Sequence, residues 1–204
     1  VYEGDKAKRY EVWVDKKSSQ FSFKYTKRPD LVNVDADRTL LAEWSDDKTT
    51  SNLVHLYTHG KKYEDRREAI EKLSAVQEDE KAFEVMTAAL NDPYYGLRIL
   101  AIENIDLAQS NGKKALKLIE GLASKDEKTL VRAKAINKLF DFNGDDYVDL
   151  YQESLQNKSS DMKVSALRAL YWTDEEAALA YAKGLNEALE KESLKDALIP
   201  VYIM

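Results

Sequence analysis

Cysteine is absent from the 204-residue chain, and several other residues with chemical uses are scarce. Without a thiol, the chain can form neither a disulfide nor a thiolate metal site, and its redox compartment cannot be inferred. The seven glycines form no phosphate-binding loop, and no G-x-S-x-G nucleophile motif occurs. No apolar run approaches the roughly 18 residues that a membrane span needs. The sequence therefore lacks the usual signatures of thiol, serine and nucleotide enzymes and of a membrane span.

The charge balance is acidic, because 37 Asp and Glu residues outnumber 31 Lys and Arg residues and give a net charge of −6. Nucleic-acid binding depends on a basic surface that neutralises phosphates. We therefore expect no nucleic-acid partner, and the charge disfavours a nucleic-acid enzyme built on helical repeats. With 44% hydrophobic and 33% charged residues, the composition is that of a folded globular chain.

The two histidines, His55 and His59, are four residues apart and so lie on one face of a predicted helix. This is the spacing of zinc proteases, and Glu78 follows His59 after eighteen intervening residues, as a third ligand would. The motif H-E-x-x-H also requires a general-base Glu after the first histidine, where this chain has Leu56. Polar surface is the favoured interpretation, and we assign no catalytic and no metal-binding residue in this chain.

A pattern recurs four times: a basic residue, Ala three positions later, and aliphatic residues at four and seven positions. The basic residues are 32, 34 and 31 positions apart, a period typical of helical solenoids. We expect the Ala to permit close helix approach and the aliphatic residues to fill the seam with the next repeat. The basic residues could bind carboxylate or phosphate, but stacking and pairing with the neighbouring repeat is the favoured role. The copies are Arg66, Ala69, Ile70, Leu73; Arg98, Ala101, Ile102, Ile105; Arg132, Ala135, Ile136, Leu139; and Lys163, Ala166, Leu167, Leu170.

Residues 1–48 are predicted to form a small antiparallel β-sheet, as a first structural segment. Hydrophobic side chains alternate in Arg9–Val14 and in Gln20–Tyr25, which is the pattern of half-buried strands. Leu31–Val34 and Thr39–Trp44 are predicted as two further strands, joined by the acidic turn Asp35–Asp37. This turn resembles the start of a calcium loop but lacks the Glu at loop position twelve, so an ordinary turn is favoured. So few strands bury little area, and we expect them to pack on the first helices or on a preceding partner.

Residues 49–204 are predicted to form a mainly α HEAT/ARM-like superhelix of about five antiparallel helix pairs. Helix starts are predicted at Asp92, which precedes Pro93, at Asp126, and at Thr173, whose capping box would be completed by Glu176. The predicted helices are Ser51–His59, Tyr63–Val76, Glu80–Leu90, Pro93–Leu107, Lys113–Ala123, Glu127–Phe140, Asp146–Gln156, Asp161–Tyr171, Glu175–Leu189 and one from Ser193 onward.

The two ends of the chain are atypical. In the fifth repeat Leu194 replaces the basic residue and Pro200 lies on the stripe, as expected of a terminal repeat. Val201–Met204 is apolar, so this end is expected to fold back or to mark a truncation. The chain begins at Val1 and without a signal peptide, which is what a piece of a longer protein would show. The compartment stays open.

Residues 29–41, which read Pro-Asp-Leu-Val-Asn-Val-Asp-Ala-Asp-Arg-Thr-Leu-Leu, resemble a known junction. They are similar to the end of the small β-sandwich in zinc aminopeptidases of the aminopeptidase N type (gluzincins), where it leads into a helical C-terminal domain. The helix pair that follows the sandwich in that family carries a D-R-x-x-A-(I/V) element. Asp65, Arg66, Ala69 and Ile70 match this element.

The resemblance implies a zinc metallopeptidase parent, a hydrolase whose helical domain covers the active-site cavity and limits substrate access. The family's H-E-x-x-H helix, its third zinc ligand, its substrate strand and its transition-state Tyr are not present in this sequence. No cofactor is therefore expected in this chain, and zinc is expected in a catalytic domain that would be its main partner. Peptide substrates would be reached only through that parent. The alternative is a free-standing HEAT-like scaffold that binds a protein or peptide on its concave face.

Overall fold

The computed structural model describes residues 1–41 and 45–185. The chain divides into two compact units, Val1–Met86 and Thr87–Met204. The described residues are mainly α-helical, with one small antiparallel sheet, which confirms the predicted fold class. The predicted boundary between residues 48 and 49 coincides with the change from coil to helix at Thr50, whereas the compact units divide inside a later helix.

The first unit combines a short hairpin, a long irregular segment (residues 8–41 and 45–49) and two packed helices. Thr49 caps the first helix in a capping box with Asn52, since each side chain accepts a hydrogen bond from the other residue's backbone N–H. The first and second helices pack against each other. The elements are β1 (Tyr2–Glu3), β2 (Lys6–Ala7), α1 (Thr50–His59), α2 (Tyr63–Leu73) and a 3-10 turn at Ser74–Val76.

The second unit is a series of helices joined by short loops. Its elements are α3 (Glu80–Ala89), within which the two units divide, α4 (Tyr95–Asn104), α5 (Gly112–Lys125), α6 (Thr129–Asn143), a 3-10 turn at Gly144–Tyr147, α7 (Val148–Ser154), α8 (Ser160–Thr173) and α9 (Glu175–Leu185). Helix α5 packs on α6, and α7 packs on α8. The second helix of each predicted pair also packs on the second helix of the next pair: α4 packs on α6, and α6 packs on α8, as the predicted repeat requires.

The predicted aliphatic stripe forms the core of these helices. All twelve Ala, Ile and Leu residues of the four copies are at most 1% exposed. The pattern therefore identified the buried face of α2, α4, α6 and α8 residue by residue, although Ile105 lies one residue beyond the end of α4. Burial of the small Ala residues allows neighbouring backbones to approach closely.

The predicted strands were wrong in position. Arg9–Val14 and Gln20–Tyr25 are irregular, and the two strands of the sheet lie earlier, around Gly4. The Tyr10 ring does contact the Phe23 ring, with centroids 4.1 Å apart, so the predicted faces meet without forming a hydrogen-bonded ladder. Leu31 makes only an isolated bridge with Tyr2. A two-stranded ribbon is only marginally stable by itself, which explains the missing ladder.

Two predicted helix caps lie two residues too early. Asp92 Oδ1 accepts a hydrogen bond from the Tyr94 N–H at 2.8 Å, and α4 begins only after Tyr94. Asp126 Oδ1 accepts one from the Lys128 N–H at 2.8 Å, and α6 begins after Lys128. Each Asp forms a turn that leads into the helix, because its carboxylate reaches a backbone donor two residues ahead.

The predicted capping box at Thr173 is also wrong, because α8 continues through that residue. Its neighbour Asp174 caps α9 instead and accepts a hydrogen bond from the Ala177 N–H at 3.1 Å. Some predicted features lie outside the described residues. They are the extension of α9 to Leu189, the helix from Ser193, the atypical repeat positions Leu194 and Pro200, the apolar end Val201–Met204, and the end of the predicted strand at Trp44.

Candidate functional site

The junction between the irregular segment and α2 is a partly buried ionic contact. Arg38 Nη2 lies 3.0 Å from Asp65 Oδ1 and 2.5 Å from Glu68 Oε2. Asn33 donates to the same Asp65 oxygen at 3.2 Å, and Asp65 is only 2% exposed. A buried carboxylate needs such partners, because an unpaired charge away from water is strongly destabilising. Asn33, Arg38 and Asp65 therefore attach this segment to α2.

The acidic turn presents Arg38 in a conformation that non-glycine residues rarely adopt. Asp35 has φ 48° and Arg38 has φ 54°, both in the left-handed region. The Asp35 carboxylate accepts hydrogen bonds from the N–H groups of Thr39 at 3.1 Å and Leu40 at 3.0 Å, which stabilises this turn. Asp37 pairs with Arg9. Both carboxylates of the turn thus have partners within the protein, and the favoured prediction of an ordinary acidic turn agrees with these contacts.

Glu68 is the centre of a wider ionic cluster, which we define as Arg38, Asp46, Lys48, Asp65, Glu68 and Lys72. Its carboxylate accepts from Lys48 Nζ at 2.8 Å and from Lys72 Nζ at 3.0 Å, in addition to Arg38. Burial opposes ionisation, but hydrogen bonds from Lys48, Arg38 and Lys72 outweigh it and lower the pKa of Glu68 to about 2. The Lys48 ammonium also pairs with Asp46.

The ionic cluster is electrically balanced, since it contains three cationic and three anionic side chains. A cavity of about 290 Å³ lies beside it, lined by Val34, Ser45 and the charged groups Arg38, Glu68 and Lys72, among others. The cations are already paired with acids, so the cluster offers little attraction to a charged ligand. Its contacts indicate a structural role: it fixes the chain before α1 onto α2.

The irregular segment exposes many large apolar side chains. Trp13 is 84% exposed, Leu41 is fully exposed, and the other large apolar residues of this segment are 43–63% exposed. A monomeric soluble protein scatters such residues singly, whereas concentrated apolar exposure marks an interaction surface. We call this set the apolar segment; it consists of Val12, Trp13, Val14, Phe21, Phe23, Val32, Val34, Leu40 and Leu41.

The two histidines pack on each other instead of converging on a metal position. The His55 and His59 rings stack with centroids 4.1 Å apart and an interplanar angle of 16°. His59 Nδ1 faces the His55 carbonyl oxygen at 3.2 Å, and His59 Nε2 faces Asp5 Oδ1 at 2.8 Å. Both nitrogens of His59 are therefore engaged with oxygen atoms. Burial, followed by the neighbouring His59, lowers the pKa of His55.

Metal ligation by these residues does not fit the geometry. Glu78 is exposed in the turn before α3, and it forms no three-residue ligand group with the histidines. Across residues 1–41 and 45–185, no group of three His, Asp or Glu side chains could hold a metal ion.

The four basic repeat residues have different surroundings. Arg98 is buried and donates to Asp126 from two nitrogens, at 2.8 and 2.9 Å. Arg132 donates from Nε to the Ala123 carbonyl at 3.3 Å. Arg66 and Lys163 are both half-buried. One member of the set thus pairs with an acid in the loop before α6, and another donates to a carbonyl in the last turn of α5.

Sequence reasoning missed the ionic cluster. The Asp65, Glu68 and Lys72 spacing places all three side chains along one face of α2, which the sequence could have shown. Their partners Arg38 and Lys48 lie 20 to 30 positions away in irregular chain, and no periodicity links them.

Comparisons with known proteins found no match: no family model fits this sequence, and neither a curated protein nor a solved structure is significantly similar to it. In the part of the chain that the structure describes, no helix has the length and apolar character needed to cross a bilayer.

Proposed function

We propose that this chain is a non-catalytic C-terminal region of a zinc aminopeptidase of the aminopeptidase N type. Its helices would cover the active-site cavity and limit substrate access, while zinc and the hydrolytic residues belong to a separate catalytic domain. The resemblance at residues 29–41 and 65–70 suggests the family. The apolar segment, fixed to α2 by Arg38, is the observation that carries the proposal.

The apolar segment supports this role because it has the character of unpaired strands. Its sequence alternates like a half-buried sheet, yet residues 9–25 form no ladder in the chain alone. If a partner sheet added a strand to this segment, the backbone N–H and C=O groups would gain hydrogen bonds and the apolar side chains would be covered. A preceding β-sandwich would supply that sheet, and the partly buried Arg38–Asp65 contact would hold the helices in place behind it.

The reading frame upstream of Val1 gives the most direct test. An H-E-x-x-H motif in that frame, followed by a Glu after eighteen intervening residues, is expected. An initiation codon close to Val1 with no such motif would contradict the proposal.

Trp13 provides a structural test of the same proposal. In a 204-residue chain with Trp44 and Trp172 changed to Phe, acrylamide should quench Trp13 strongly, because this side chain is 84% exposed. In the full-length parent with Trp13 as the matching probe, quenching should fall severalfold. Equal quenching in both would show that no neighbouring domain covers the apolar segment.

Metal and activity measurements complete the test. The 204-residue chain should bind no stoichiometric zinc and should not hydrolyse aminoacyl anilides. Peptidase activity that His55→Ala destroys would overturn the proposal, because it would place the chemistry within this chain.

A free-standing HEAT-like scaffold is the second candidate. The sequential packing of α4, α6 and α8 favours it, since stacked helical repeats present extended binding surfaces. An independent translation start near Val1 would support this candidate over the enzyme domain.

A further inference from the structure

Asp126 and Asn157 occupy equivalent positions in successive repeats. Each lies two residues before the N-cap of a second helix, α6 or α8. Each side-chain Oδ1 accepts a hydrogen bond from that N-cap residue, at 2.8 Å from the Lys128 N–H and at 2.9 Å from the Ser159 N–H. The turn geometry is thus repeated, but the ionised carboxylate of the first position becomes a neutral amide in the second.

The repeat arginines that correspond to these two turns, Arg98 and Arg132, differ in their ion pairs. Arg98 forms a two-point ion pair with Asp126, from Nε at 2.8 Å and from Nη2 at 2.9 Å. Arg132, one repeat later, donates from Nε to the Ala123 carbonyl, and within residues 1–41 and 45–185 it forms no ion pair. The change from Asp126 to Asn157 therefore leaves the second guanidinium without the acid that the first one has.

A cavity of about 230 Å³ lies at this point, and Arg132 and Asn157 both line it. Ser124, Ser154 and Glu153 add polar atoms to its wall. Pockets for drug-sized ligands measure about 300–1,000 Å³, so this one suits a smaller group. From these observations we infer that the cavity is a binding site for a carboxylate group, which occupies the role that Asp126 has beside Arg98.

The chemistry of the wall favours a carboxylate over a phosphate. A guanidinium matches a carboxylate with two parallel N–H donors, as the Arg98 pair shows. A phosphate dianion would meet a single cation, Arg132, together with the acidic Glu153 in the same wall. The side-chain amide of Asn157 can donate to the remaining carboxylate lone pairs. This inference is independent of the proposed aminopeptidase role.

The test uses the complete 204-residue chain and three probes. N-acetylaspartylamide carries only a side-chain carboxylate, N-acetylglycine carries only a main-chain carboxylate, and inorganic phosphate is the competing anion. Titration followed by NMR should shift the Arg132 Nε–H and Asn157 side-chain signals saturably, with a Kd on the order of millimolar for so small a ligand. Stronger binding of the first probe would identify an acidic side chain as the natural source, and stronger binding of the second would identify a chain terminus.

Variants separate the site from general charge effects. Arg132→Gln should weaken carboxylate binding by about tenfold or more, because it removes a charge-assisted pair. Arg168→Gln, which removes the same charge at an exposed position of α8, should leave binding unchanged. Asn157→Asp should abolish probe binding and raise the unfolding midpoint, because it restores the internal acid.

Three results would overturn the inference. They are the absence of saturable shifts in the native chain, carboxylate binding that is undiminished in folded Arg132→Gln or Asn157→Asp, and phosphate binding tighter than either carboxylate. Circular dichroism of each variant establishes that it is folded. Asn157→Asp is also expected to raise the unfolding midpoint, so unfolding cannot explain a loss of binding in that variant.

Discussion

Arg98 and Asp126 form a two-point ion pair between α4 and the loop before α6, and both side chains are almost buried, at 9% and 5% exposed. The remaining guanidinium nitrogen, Nη1, donates to the Asp92 carbonyl at 2.9 Å. The Arg98 side chain therefore connects the turn before α4 to the turn before α6. Removing either partner of such a pair leaves an uncompensated charge away from water.

Asp126→Asn should destabilise the protein by about 3 kcal/mol, because it leaves the Arg98 guanidinium buried without an acid. The turn itself should persist, since Asn157 shows that an amide oxygen can accept the same backbone hydrogen bond. Urea denaturation measures the change. Glu127→Gln is the control: Glu127 is 73% exposed and 3.9 Å from Arg98, so about 0.5 kcal/mol or less is expected. Equal losses in the two variants would contradict a dominant role for Asp126.

Glu68 should make stability depend on pH in the acidic range. Its pKa is lowered to about 2 from an ordinary 4.5, so the folded state binds the proton less tightly than the unfolded state. The stabilisation is therefore complete above pH 4.5 and is lost as the pH falls towards 2. The stability difference between the native chain and Glu68→Gln should shrink over this window.

Glu71→Gln is the matched control for Glu68, because Glu71 forms an exposed pair with Arg67 on the same helix. Its effect on stability should be small and nearly constant with pH. A pH-independent difference for Glu68→Gln would show that Lys48, Lys72 and Arg38 do not favour the ionised form.

Tyr151 and Tyr147 should respond oppositely to loss of the hydroxyl group. The Tyr151 hydroxyl is fully buried, and no protein group among the described residues hydrogen-bonds to it, so Tyr151→Phe should be neutral or stabilising by up to about 1 kcal/mol. Tyr147 donates to Glu120 at 2.8 Å, so Tyr147→Phe should destabilise by about 1 kcal/mol. Thermal unfolding of both variants checks the signs. A clear loss in Tyr151→Phe would reveal a hydrogen bond at that hydroxyl.

The same substitution at two glycines should also have opposite effects. A Cβ at Gly60 would collide with the Leu56 carbonyl and lie 2.6 Å from the Asp65 Cβ, so Gly60→Ala should destabilise by about 1–3 kcal/mol. Gly121 lies inside α5 with open space around it, so Gly121→Ala should stabilise by about 0.5–1 kcal/mol. Denaturant midpoints report both changes. A tolerated Gly60→Ala would mean that the α1–α2 turn can move apart.

The helical core could be predicted from sequence because its signal is local and periodic. Ala135, Ile136 and Leu139 follow helical spacing, and this spacing alone determines which face of the helix is buried. The same reasoning failed for Arg9–Val14, because a strand needs a partner and alternation does not say whether one is present. It could not find the Arg38 pairs, since Asp65 and Glu68 are 27 and 30 positions away through irregular chain.

The order in which the second helices touch has a consequence for cooperativity. Helix α6 contacts both α4 and α8, so it couples two neighbours, whereas each of those depends on α6 across one interface. In such an array, stability is approximately a sum of repeat and nearest-neighbour terms. A substitution in the α6 seam, at Ala135 or Ile136, should therefore uncouple α4 from α8, whereas one in α8 should loosen mainly its own end of the array.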